Sequence, residues 1–97
     1  MATLRLIDSV STFVLYYTGK SEEILVGSFP KNYKASRVGL ICAFVGLAQA
    51  SNVEKIDLDL GEADAKLLLE DLKNGRSAER IRLKIALQNY LREWAVA

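Results

Sequence analysis

Apolar and polar residues alternate most cleanly from Val53 to Leu60, with Ile56, Leu58 and Leu60 on one side and Lys55, Asp57 and Asp59 on the other. Successive side chains of a strand point to opposite faces, so this period of two predicts a strand with one wet face. Leu4 to Ile7 reads as a short strand. Ser11 to Tyr17 is a stronger one, since β-branched and aromatic residues pack well on a pleated surface. Glu23 to Phe29 completes a three-stranded antiparallel set, and Pro30 stops it because proline has no N–H to give to a ladder.

Beyond Pro30 the spacing becomes helical, from about Ala35 to Ala50, with Asn32 or Ser36 available as the cap. This first helix is apolar nearly all round, a pattern that normally means burial on more than one side. At about 100° per residue, Gly39, Ala43, Gly46 and Ala50 share one narrow stripe, opposite Leu40, Ile41, Phe44, Val45 and Leu47. The bulky side is expected on the sheet. The small stripe permits close approach of another backbone, first of all this chain's own second or third helix, or else the same helix of a second subunit.

Gly61 to Lys73 predicts a second helix, with Ala65, Leu68, Leu69 and Leu72 on one stripe and Glu62 and Asp64 near its positive dipole end. Asn74-Gly75 ends it, with Gly75 expected as a left-handed cap, and Ser77 caps a last helix running to about Trp94. There Leu83, Leu87, Tyr90, Leu91 and Trp94 form a core-facing stripe. Ile81 and Ile85 lie nearly opposite, beside Arg82, Lys84 and Arg92, and their i, i+4 spacing makes them a contact ridge. The order β-β-β-α-β-α-α predicts an α+β fold, a mostly antiparallel four-stranded sheet covered by three helices. Residues 1–97 are read as a single domain, because 97 residues at 51% hydrophobic content suffice for one modest core.

Composition mainly excludes chemistry. The chain has no histidine, which removes the commonest general base and the commonest transition-metal ligand together. Its one cysteine, Cys42, cannot form an intramolecular disulfide and reads as a small buried hydrophobe. The N-terminal residues carry Arg5 and Asp8 among apolar positions and do not read as a signal peptide; the uncharged stretch from Val38 to Val53 is too short to span a bilayer. A cytoplasmic protein with no membrane contact is expected. Gly19-Lys20-Ser21 matches the end of a phosphate-binding loop, but the glycine required five residues earlier is Val14, and a strand follows instead of a helix. Thr18 to Ser21 is therefore a hairpin connection, with Gly19 free to take positive φ.

The net charge of +1 gives no global attraction to nucleic acid, but the charges are segregated. Val53 to Lys73 holds seven acids and three bases, whereas Arg76 to Ala97 holds five bases and two acids. Lys31, Lys34, Arg37, Arg76 and Arg80 would form an anion-binding or nucleic-acid-binding face if the starts of the first and last helices adjoin. The stronger reading pairs these cations with the acidic second helix. Asp57 and Asp59 share a strand face and would need Asp8 to hold Mg²⁺.

The order of three strands, helix, strand and helix over residues 3–73 resembles the first half of a ribonuclease H-like fold. That resemblance implies a metal held by acids on the first strand, first helix and fourth strand. The first helix here has no acid, and no fifth strand follows, so a metal-dependent hydrolase is only a remote alternative. No catalytic residue, cofactor or metal is expected. The leading expectation is a non-enzymatic protein–protein interaction module, a small regulator, adaptor or inhibitor. Its partner-binding residues are Ile81, Ile85, Arg82 and Lys84 with Gly39, Ala43 and Gly46, and a homodimer is expected.

Overall fold

The computed structural model describes residues 2–96. They form β1 (Ala2–Asp8), β2 (Thr12–Thr18), β3 (Glu23–Pro30), α1 (Lys34–Ala50), β4 (Val53–Asp59), α2 (Glu62–Asp71) and α3 (Ala78–Val96). The element order and the α+β class are those the sequence predicts. The strands form one sheet in the order β3-β2-β1-β4. β1 pairs antiparallel with β2, and β2 with β3, whereas β4 runs parallel to β1. A parallel pair cannot be joined by a tight turn, and α1 is the crossover that carries the chain from β3 to β4.

Alternation along each strand sorts the two faces. Leu4 and Leu6 lie beside Ile56 and Leu58 on the face that packs against the helices, and Phe13 and Leu15 extend it across β2. Leu40, Ile41, Phe44 and Val45 of α1, Ala65 and Leu68 of α2, and Leu83 and Leu87 of α3 close the same core. Arg5, Tyr16, Lys55, Asp57 and Asp59 occupy the opposite face, where the Arg5 guanidinium stands 6.0 Å from the Tyr16 ring centre and pairs with Glu23 at 3.3 Å.

Several local expectations are corrected. Tyr33, not Asn32 or Ser36, stands at the start of α1, and its carbonyl accepts from the Ser36 and Arg37 N–H groups without any side-chain cap. No glycine adopts positive φ, so neither Gly19 nor Gly75 is a left-handed residue. Gly75 instead supplies room: a Cβ there would lie 2.7 Å from Arg80 Cδ. Cys42 is exposed, because sheet and helices cover only one side of α1. The small stripe is covered only in part: Gly39 faces Phe29 of β3 and Ala43 packs against the core, whereas a Cβ at Gly46 would meet nothing within 4 Å and Ala50 is exposed. Trp94 does not seal the core; it is 47% exposed and leans edge-on against Tyr90. Ser77 does cap α3, its Oγ accepting from the Arg80 N–H at 3.2 Å. No helix among the described residues is long and apolar enough to cross a membrane.

Candidate functional site

The sheet leaves two free edges, and the edge formed by β4 adjoins the expected contact ridge. α3 is fixed to the end of β4 by Tyr90, whose hydroxyl accepts from the Leu60 N–H at 3.0 Å and donates to the Leu60 carbonyl at 2.7 Å. A partly buried tyrosine ring with a polar tip is satisfied by such a partner, and here it holds the strand end that the next strand of a wider sheet would otherwise pair. Between β4 and α3 runs an open groove of about 500 Å³, with Ile56 and Leu58 on the strand side and Arg82, Ile85 and Asn89 on the helix side. Ile85 is 50% exposed and Ile81, one turn earlier, 44%. Lys84 is half-buried. Of the predicted partner-binding residues, Ile85 and Arg82 thus line one groove. Gly39, Ala43 and Gly46 belong to α1 and do not line it.

The predicted anion-binding cations are not gathered into a free face. Lys31 Nζ lies 2.8 Å from Asp64 Oδ2 and 3.6 Å from Asp8 Oδ2, and stands 5.3 Å over the Phe13 ring. Arg37 Nε donates to Asp71 Oδ2 at 2.6 Å, while its Nη1 donates to the Lys31 carbonyl at 2.6 Å. Asp64 and Asp71 come from α2 and Asp8 from the end of β1, so the acidic helix supplies most of the charge that neutralises the entry to α1. The pairing with the second helix is the one the sequence predicts, and these pairs are partly buried. Arg80 donates to Ser77 Oγ at 3.3 Å, and Lys34 and Arg76 are exposed.

Asp8 is part of the same network and is separated from the other two acids of the metal alternative. It lies opposite Phe13, on the helix side, whereas Asp57 lies beside Arg5 and Asp59 beside Ile7 on the other face. Among the described residues no three acids, cysteines or histidines converge as a metal site. Burial pushes the Asp8 carboxyl upward, but the Gly61 N–H, a hydrogen bond with Asp64 and the nearby Lys31 charge together hold it below its ordinary value.

A carboxyl depressed on folding adds stability that is present above its unfolded pKa of about 3.9 and is lost as pH falls through the lower folded value. Asp8→Ala, which also strands the Gly61 N–H bonded to it at 2.9 Å, is expected to cost about 1.5 kcal/mol at pH 7. The melting difference from wild type should shrink below about pH 4; a difference that stays constant from pH 7 to pH 2.5 would remove the ionised carboxylate from this account.

Sequence reasoning missed the Asp8–Gly61 and Tyr90–Leu60 links, which join residues 53 and 30 positions apart. The one available signal was a tyrosine within a core-facing stripe, whose hydroxyl must find a partner somewhere. The chain matches no family model, no curated protein and no solved structure.

Proposed function

We propose that this chain is a non-enzymatic protein–protein interaction module of the cytoplasm, a small regulator, adaptor or inhibitor, and that it works as a homodimer. The observation that carries the reading is the outer side of α3, where Ile81 and Ile85 stand exposed and Ile85 lines a groove at a free sheet edge that combines Ile56 and Leu58 with Glu54, Arg82 and Glu93. Scattered surface aliphatics are ordinary; here two lie on one helix side and Ile85 also lines the groove, which supports reading that side as a contact surface. The lack of histidine and the separation of Asp8 from Asp57 and Asp59 support a binding rather than a chemical role.

Wild type is expected to sediment as a dimer at micromolar concentration. Ile85→Asp places a carboxylate among apolar atoms in the contact and should give a folded, monomer-leaning species with affinity reduced at least about tenfold. Gly46→Arg separates the two helices as contact surfaces. The space at Gly46 is open, and arginine is the better helix former, so this variant should fold and still dimerise if the α3 side is the interface. Wild type that remains monomeric at hundreds of micromolar overturns the homodimer. A dimer lost in Gly46→Arg but kept in Ile85→Asp moves the contact to α1.

A further inference from the structure

We infer that the homodimer forms by antiparallel pairing of β4 with β4 of a second copy about a twofold axis at Ile56, giving one continuous eight-stranded sheet. This rests on the homodimer reading above and specifies its geometry. The free edge of β4 is the first observation. Among the described residues no hydrogen bond from another element reaches the backbone of Glu54 to Asp59 apart from the ladder to β1, while Tyr90 closes the edge at Leu60. An unpaired strand edge is a template for a further strand. The opposite edge, β3, exposes Ile24, Leu25 and Val26, yet Val26 is an unpaired bulge residue between Leu25 and Gly27 and Pro30 ends the strand, two devices that blunt an edge. β4 is regular from Lys55 to Asp59, its one irregularity being Glu54.

The second observation is that the β4 sequence is complementary to itself in one register. Two antiparallel strands keep a continuous sheet's faces only if directly opposed residues share a face, so the twofold must pass through a residue. At Ile56 it sets each Lys55 against the other copy's Asp57, two opposite-charge pairs on the wet face, and sets Ile56 against itself on the helix face. At Lys55, Asp57 or Asp59 it would oppose two identical charges. At Leu58 it would set each Asp57 against an Asp59. Like charges directly opposed are destabilising, and only the Ile56 axis avoids them while pairing charges. Glu54 then falls near Leu58 of the other copy. As the bulged residue it is free of strict alternation, and Arg82 is the cation lining the same groove.

The groove completes the contact. A stable interface buries about 1,200–2,000 Å² in total, more than a short strand ladder supplies, so the flank of α3 must contribute. A strand added along β4 brings the second α3 to the far side of the axis on the same face of the sheet. The exposed Ile85 sides of the two helices then face each other over a floor of Ile56 and Leu58.

The register is tested by charge exchange, read as dimer dissociation constants from sedimentation equilibrium of the full chain. Each substitution enters a symmetric dimer twice, so Lys55→Asp and Asp57→Lys should each weaken the dimer about tenfold. The double exchange K55D/D57K should return to within about threefold of wild type, because it restores both pairs with reversed sign. Rescue by K55D/D59K instead would shift the axis to Asp57 and overturn the proposal. Failure of either single exchange to weaken a dimer that Ile85→Asp still breaks would also overturn it, while leaving the interaction reading standing; a monomeric wild type would end both. If a charge variant does not fold, Ile56→Cys in a Cys42→Ser chain decides. It should form a disulfide-linked dimer on mild oxidation, as residues opposite themselves across the axis do, and Asp57→Cys in the same chain should not. The reverse result overturns the register.

Discussion

Phe13→Ala is expected to lower stability by about 4 kcal/mol and the melting temperature by roughly 20 °C, the largest loss among the substitutions considered. Phe13 is 0% exposed and sits on β2, opposite Asp8 on one side and Phe29 on the other. Because β2 is held between β1 and β3, the backbone cannot move in to fill the space left by the ring. Lys31 adds to the loss, since its ammonium stands 5.3 Å over the ring and a cation over an aromatic face is held by the ring quadrupole. Val14→Ala is the matched control. It alters the next residue of the same strand, on the face away from the core, and should cost no more than about 1 kcal/mol. Urea unfolding of the three proteins checks the contrast; a Phe13→Ala loss below about 1.5 kcal/mol would mean that the ring is not enclosed as described.

That contrast also shows why the fold was legible in the sequence. A strand with one covered face writes its orientation into alternate residues, and β4 is the clearest case: Ile56 and Leu58 face α3 while Lys55, Asp57 and Asp59 face water. Helix spans were legible for the same reason. α1 was less so, because an all-round apolar helix does not say which sides are covered: Leu40 and Phe44 are enclosed, Cys42 and Gly46 are not. The candidate site was half legible. Ile81 and Ile85 stood out by helical angle alone, but that Ile85 lines a groove with Ile56 depends on where α3 crosses the sheet, and no local pattern encodes that crossing. Cap and turn chemistry was the least reliable guide. Asn32, Ser36, Gly19 and Gly75 were all plausible by residue type, and at each the backbone found another solution.

The pairing of Lys31 and Arg37 with the acidic second helix was legible in the sequence, the shielding of those pairs from solvent was not, and Arg37 is the sharpest case. Its side chain is 12% exposed and that of Asp71 6%, so the pair is largely shielded from solvent rather than displayed to a ligand. Asp71→Ala would leave the guanidinium with the Lys31 carbonyl as its one remaining acceptor among the described residues. Stranding a fully buried charge costs about 3–5 kcal/mol, and partial access to water brings the expected loss here to about 2–3 kcal/mol. The pair itself need not be a net source of stability, because both ions lose hydration on folding. Arg37→Met with Asp71→Leu should therefore lie within about 1 kcal/mol of wild type, well above Asp71→Ala alone. Denaturant unfolding of the single and double variants, repeated at low and high salt, reads the coupling; a shielded pair is screened less than a solvated one, so the Asp71→Ala loss should change little with salt. A loss under 1 kcal/mol that vanishes in salt would make Arg37 a solvated cation after all, free to join Lys34 and Arg76 in holding an anion. The expected loss instead makes Arg37 a strut between the start of α1 and the end of α2 rather than part of an anion-binding face.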